Sequence, residues 1–251
     1  MQENDTSALQ RRMRMLAFAV HSQLLESEPL SKAEAARLER MIRDGLAPDE
    51  GIAVLKKTLG IADAQVSGSA VLKNIPGLDE AEQLAAFERN AVAWRSLSLP
   101  TGHYDVAHLK AIHKHLFQDV YGWAGEFRTI PMAKGASRFA QPQYIEQETR
   151  KILGRIAVAE MRTAPVDRFT AALAEMISEL NAVHPFRKGN GRTIRAIALL
   201  LAEDCGYAFD LTAVTPALWT EASILAFQGN NHALEVLLHE ALHPLPVPDQ
   251  K

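Results

Sequence analysis

One twelve-residue segment, His184-Pro185-Phe186-Arg187-Lys188-Gly189-Asn190-Gly191-Arg192-Thr193-Ile194-Arg195, gathers a histidine, a Gly-Asn-Gly loop and two spaced arginines. Each of these suits a step in handling phosphate. An imidazole titrates near working pH, so His184 is placed to take a proton from an attacking hydroxyl. Glycines let a backbone approach a phosphate closely. Where such a loop opens a helix, the first N–H groups and the positive end of the helix dipole face the anion. Arg192 and Arg195 lie three apart on one helix face, so their guanidinium forks can converge on adjacent phosphates. A lone His-Pro-Phe is usually a packed loop entry and a lone Gly-x-Gly is a weak phosphate signal, but their combination at this spacing is specific. No GxxxxGK[ST] occurs, which sets the P-loop aside.

Two helices must hold this loop. Phe169, Leu173, Met176 and Leu180 mark the apolar face of a helix ending near Asn181, and Ile194, Ile197, Ala198 and Leu201 mark the core face of the next. Helical periodicity also places Leu84, Phe87, Ala91 and Trp94 on one face. Between Phe127 and Phe139 the pattern breaks, and Thr129-Ile130-Pro131-Met132 followed by Lys134-Gly135-Ala136-Ser137-Arg138 suits a short hairpin with a glycine turn. Upstream, Leu9, Met13, Leu16, Val20 and Leu24 form a stripe on a first helix closed by Pro29. Ser31 and Glu34 form a capping box opening a second helix through Leu38 and Ile42 to Gly45, and a third carries Ile52, Leu55 and Leu59 before Gly60. Three short helices with narrow apolar faces must dock on something larger. The expected organisation is a helical region over 1–61, a connector over 62–70 containing Ser67-Gly68-Ser69, a larger mainly α domain over 71–243 and a proline-rich tail over 244–251.

Apolar residues make up 47% of the 251 positions and charged residues 23%, the mixture of a globular protein. A formal charge of −3 supplies no basic field for nucleic acid, so no direct nucleic-acid binding is expected. The single cysteine, Cys205, cannot form an internal disulfide and reads as a small buried hydrophobe of a reducing compartment. No apolar run reaches membrane-spanning length, so a cytoplasmic protein without membrane association is expected, with export as an effector left open. His113 and His115 do not share a helix face, and His239 and His243 lack an HExxH pattern or an acidic third ligand, so none of them is assigned a metal.

The segment HPFRKGNGRTIR resembles the Fic family signature HPFx[DE]GNGRxxR, and the likeness extends over roughly Ser69 to Leu242 through Leu116–Arg128 and Lys134–Phe139. This resemblance implies an all-α, mainly helical Fic fold with a small β-hairpin flap, and transfer of AMP from ATP to a hydroxyl side chain of a target protein. By the same resemblance His184 is the general base, Gly189, Asn190 and Gly191 build the anion hole, Arg192 binds phosphate and Arg195 binds the γ-phosphate. Lys134, Gly135, Ser137, Arg138 and Phe139 belong to the flap that holds a target segment by strand addition. Family analogy points to a bacterial type II topoisomerase subunit or a GTPase as the target.

One position departs from the signature. Lys188 stands where the family has the Asp or Glu that holds Mg²⁺, and an ammonium offers a hard cation no oxygen ligand and repels it. Two outcomes follow: Lys188 contacts the phosphates and partly replaces the metal's charge, or the chain is an impaired Fic scaffold that binds nucleotide or a partner without transfer. Near the N-terminus, Ser22-Gln23-Leu24-Leu25-Glu26-Ser27 resembles the inhibitory pattern [ST]xxxE[GN] of Fic proteins and their small antitoxin partners. Ser22 and Glu26, at i and i+4, would share a helix face, and the resemblance implies that Glu26 pairs with Arg195 and displaces the γ-phosphate. The 1–61 region is thus expected to be an antitoxin-like inhibitory unit docked on the Fic domain, as in a toxin–antitoxin pair.

Overall fold

The computed structural model describes residues 2–26, 28–61, 72–134 and 137–245, with the side chains of 2–6, 134 and 137 set aside. The connector at 62–70, Ser27, the flap-tip residues Gly135 and Ala136, and the tail from 246 onward lie outside these described residues. The chain divides into two compact units, residues 1–100 with 111–126, and residues 101–110 with 127–251.

The first unit holds helices α1 (Gln2–Leu24), α2 (Lys32–Arg43), α3 (Pro48–Thr58) and α4 (Ala81–Arg95). Helix α4 is the post against which α1, α2 and α3 pack. The capping box that opens α2 is formed as its sequence predicts: the Glu34 N–H donates to Ser31 Oγ at 3.2 Å and the Ser31 N–H donates to Glu34 Oε2 at 2.8 Å. Glu34 also reaches α4, where its Oε1 accepts from Arg89 Nε at 3.0 Å and Asn90 Nδ2 at 2.6 Å. Burial acts to raise the Glu34 pKa, but hydrogen bonds from Ser31 and Asn90 with the charge of Arg89 outweigh it and hold the carboxyl below its ordinary value. A second tie runs from Trp94 Nε1 to the Pro48 carbonyl at 2.8 Å. Gly51 is required there, because a Cβ would stand 2.1 Å from the Trp94 indole.

The stripe predicted on α1 lies beside its buried face. Leu9 is exposed and Met13, Val20 and Leu24 are only half-buried, while Met15, Leu16, Phe18, Ala19, Ser22 and Gln23 are buried. Two of those are polar, so hydrophobicity alone could not centre the face.

Helix α5 (Val106–Phe117) starts in the second unit and ends in the first. The second unit continues with the hairpin strands β1 (Ala133–Lys134) and β2 (Ser137–Arg138), then α6 (Ile145–Leu153), α7 (Val158–Met161), α8 (Val166–Val183) and α9 (Asn190–Asp204). Strand β3 (Tyr207–Phe209), α10 (Pro216–Phe227), α11 (His232–Ala241) and β4 (Leu242–Pro244) complete it. Helix α8 is central: α6, α9, α10 and α11 all pack on it, with Phe169, Leu173, Ile177 and Leu180 buried along its length. Strands β1 and β2 pair antiparallel, Ala133 opposite Arg138 and Lys134 opposite Ser137. A second antiparallel pair, Tyr207 opposite Pro244 and Phe209 opposite Leu242, was not foreseen in the sequence. Pro244, assigned to the tail by composition, is therefore the last residue of β4.

Candidate active site

The end of α8 and the start of α9 build the site within the second unit. His184 caps α8 in the left-handed conformation, with φ at 51° and ψ at 61°, and its N–H closes the helix on the Leu180 carbonyl at 2.9 Å. A left-handed non-glycine residue is costly by about 1–3 kcal/mol and persists only where surroundings over-determine it. Here they do. The His184 carbonyl accepts from Arg128 Nε at 2.7 Å, and the imidazole lies flat against the Phe139 ring, centroids 3.9 Å apart and planes 11° from parallel.

Phe186 is buried and anchors the loop against Phe127, with ring centroids 5.4 Å apart. Asn190 then ties the loop to itself: its Oδ1 accepts from the Phe186 N–H at 2.8 Å and its Nδ2 donates to the Phe186 carbonyl at 2.7 Å. The Asn190 side chain therefore shapes the loop, and any part it has in holding an anion falls to its backbone. Gly189 is the N-cap of α9 with φ at 78°, a left-handed conformation glycine adopts without strain. Thr193 secures that cap, its N–H and its Oγ both donating to the Gly189 carbonyl at 3.1 and 2.9 Å. The helix ladder thus begins at Thr193, and the N–H groups of Asn190, Gly191 and Arg192 form the unladdered first turn that suits an anion.

Arg192 and Arg195 follow on α9, both buried, Arg195 to 1% exposure, and the Arg195 guanidinium sits over the Trp219 ring 5.4 Å from its centroid. Lys188 is half-buried at the loop, one residue before the cap. This donor set fits a chain of phosphates. At the position of Lys188 an ammonium offers a divalent cation no oxygen ligand.

Of the flap residues expected to hold a target, Lys134, Ser137 and Arg138 lie in the paired strands, Gly135 is outside the described residues, and Phe139 turns inward onto His184. Its N–H donates to the Met132 carbonyl at 3.2 Å, closing the base of the hairpin. Ser22 is buried in the last turn of α1, and Glu26 lies past the helix end in an exposed turn, its N–H on the Gln23 carbonyl at 3.1 Å.

Arg128 is the residue that sequence reasoning passed over. It is 4% exposed, and its guanidinium donates to four carbonyls: His184 at 2.7 Å, Val183 at 3.1 Å, Ile130 at 2.7 Å and Ala140 at 2.6 Å. Its N–H adds a bond to the Pro185 carbonyl at 2.9 Å. Burial pulls its pKa below the ordinary arginine value. Backbone acceptors leave no mark in a sequence, so only its place at the end of the family-like segment Leu116–Arg128 hinted at it.

A histidine at a left-handed helix end with Phe139 stacked on its ring, and a glycine-capped helix start followed by two buried arginines, come from consecutive segments of a helical scaffold. Residues 103–202 match the Fic/DOC family, and the chain belongs to it. A probable protein adenylyltransferase of Sinorhizobium fredii is 36% identical over 166 residues, 65% of this chain and 86% of the relative. A probable protein adenylyltransferase Fic of Salmonella typhimurium is 30% identical over 178 residues, covering 70% of this chain and 89% of its own. The N-terminal Fic domain of a VirB-translocated Bep effector from Bartonella quintana, solved with ADP bound, superposes with a TM-score of 0.66 at 30% identity over 71% of this chain and 94% of that one.

Proposed function

We propose that this chain transfers AMP from ATP to a hydroxyl side chain of a target protein. The observation that carries the reading is His184 held at the mouth of the glycine-capped turn of α9, with Arg192 and Arg195 on the same helix, in a family whose matched relatives are named protein adenylyltransferases. In this reading the His184 imidazole takes the proton of the target hydroxyl as its oxygen bonds to the α-phosphorus. The bond from that phosphorus to the bridging oxygen breaks, and pyrophosphate leaves. The first-turn N–H groups of α9 and Lys188 receive the charge on the phosphates, Arg192 binds phosphate and Arg195 the γ-phosphate. The flap strands present an edge on which a target segment adds as a further strand. No helix among the described residues is long and apolar enough to cross a membrane.

Residues 1–61 act in this reading as a built-in brake. Glu26 competes for Arg195 and so for the place of the γ-phosphate, with Ser22 the other residue of the inhibitory pattern. The experiment is transfer of label from ATP labelled at its α-phosphate to proteins of a cell lysate, comparing the native chain with Glu26→Gly, Lys188→Asp and His184→Ala. Transfer that rises about tenfold or more in Glu26→Gly and falls about 100-fold in Glu26→Gly carrying His184→Ala supports the reading. Lys188 favours a second one, an impaired scaffold that binds nucleotide without turnover. No transfer from native or Glu26→Gly protein, with strong transfer from Lys188→Asp, would establish that scaffold.

A further inference from the structure

The same buried guanidinium that bonds the carbonyl of His184 also bonds both legs of the flap. Ile130 lies on the entering leg and Ala140 on the leaving leg, and Arg128 donates to each while it caps the end of α8 at Val183 and His184. The last carbonyls of a helix have no partner in its own ladder and carry its negative end, so an arginine placed there satisfies two of them and is itself stabilised. The leaving leg is tied once more, with the Ala140 N–H on the Ala182 carbonyl at 3.3 Å. One residue before that tie, Phe139 lays its ring on the His184 imidazole and meets Phe227 edge-on, centroids 6.3 Å apart. The flap thus grips His184 at two places, its backbone through Arg128 and its ring through Phe139.

We infer that Arg128 and Phe139 are positioning residues of the transfer reaction, through which the conformation of the flap sets the orientation of His184. This rests on the AMP-transfer reading and adds to it a link between two parts otherwise given separate tasks. Phe139 is reassigned from holding the target to holding the base. The flap backbone and the left-handed cap form one bonded unit, so a target strand added to the flap stiffens the support of the imidazole that must accept its proton. Lysine cannot replace Arg128, because one ammonium with three donors cannot span four carbonyls fixed in a plane-matching fork.

The test uses the full chain carrying Glu26→Gly, with Arg128→Lys, Phe139→Leu and His184→Ala made on that background. Three quantities are read: kcat and KM for ATP in transfer to a lysate protein, and the rate at which trypsin cuts the flap after Lys134 and Arg138. Arg128→Lys is expected to lower kcat about 100-fold, the order that a misplacement of about 1 Å causes, while KM for ATP stays within about twofold. Flap cleavage should rise about tenfold, because the hairpin loses two of its anchoring bonds. Phe139→Leu should lower kcat about tenfold with KM for ATP again unmoved. Arg128→Lys with kcat within threefold of its parent, or with kcat and ATP affinity falling in proportion, overturns the inference. So does unchanged flap protection. If Arg128→Lys does not fold, Phe139→Leu carries the test alone, its ring being only half-buried, and full kcat there overturns the link. His184→Ala that transfers at the parental rate instead removes the AMP-transfer reading, while flap protection in Arg128→Lys still tests the coupling.

Discussion

Two buried arginines, one in each unit, are solvated in opposite ways. Arg95, 6% exposed at the end of α4, meets carboxylates: Nε and Nη2 bond Asp119 at 2.6 and 2.9 Å, and Nη2 also bonds Asp49 at 2.8 Å. The hydrogen bonds it donates to Asp119 chiefly raise its pKa above the ordinary value, against the effect of burial. Arg128, equally buried, meets only neutral carbonyls, and burial lowers its pKa. A bidentate ion pair fixes one side chain against another and fastens helix to loop. A guanidinium among carbonyls fixes backbone, and through it the direction in which the next side chain points. The first arrangement suits a scaffold, the second a site whose geometry must be exact to a fraction of an ångström.

The strongest way to break this contrast is to take from Arg95 its buried carboxylate. Asp119→Ala removes both arms of the bidentate pair and leaves the buried cation only the exposed Asp49, so a loss of about 3 kcal/mol in unfolding free energy is expected, read by urea titration. If Asp119→Ala costs less than about 1 kcal/mol, Arg95 is not held by its ion pair, and the distinction from Arg128 collapses. A smaller effect, about 1–3 kcal/mol, is expected of Gly51→Ala, where the added methyl overlaps the Trp94 indole and disturbs its bond to Pro48 at the same α3–α4 seam. Transfer by the folded fraction of that variant should keep the parental KM for ATP, since the damage lies in the scaffold.

What was legible in the sequence follows the same division. The loop from His184 to Arg195 could be read because its parts are local: a histidine, glycines and a helix start within one segment. The Ser31–Glu34 capping box was readable for the same reason. The second task of Glu34, bonding Arg89 55 residues away, was not, since it depends on how α2 meets α4. The role of Arg128 was hidden more deeply, because its partners are carbonyls that every residue possesses. The β3–β4 pair was missed since each strand has three residues and Pro244 reads as a terminator. The flap hairpin was found by the break in helical period and the turn chemistry of its tip, but the inward turn of Phe139 has no sequence signature.

Acid separates the two arginines by a different route. The carbonyl of Arg95 accepts a hydrogen bond from His115 Nε2 at 2.9 Å, and burial holds His115 below its ordinary pKa of 6.5. The folded state therefore binds the proton more weakly than the unfolded state does, so its stability falls as pH drops through 6.5. Glu34 has the same sign in a lower window: its depressed pKa contributes stability above the ordinary carboxyl value of 4.5 that is lost as pH falls through the folded pKa. Thermal midpoints should decline between pH 7.5 and 5.5, and His115→Gln, which keeps a donor without titrating, should flatten that decline. An unchanged slope in His115→Gln assigns the effect elsewhere.

The finest division falls within the Arg95 cluster itself. Asp119 is largely buried, whereas the Asp49 side chain is 92% exposed although its bond to the same nitrogen is only 2.8 Å long. Distance alone would rank the two carboxylates as near equals. Solvent decides otherwise: water screens the Asp49 charge and competes for its oxygens, so loss of this pair in Asp49→Ala should cost only about 0.2–1 kcal/mol. Asp49 also lies in the first turn of α3, where a negative charge meets the positive end of the helix, a contribution of about 0.3–1 kcal/mol that the same substitution removes. Asp49→Asn separates the two, because it keeps an acceptor for Arg95 while removing the charge from the helix start. If Asp49→Ala equals Asp119→Ala in urea titration, exposure has not weakened the pair, and burial does not set the worth of each arginine's partners.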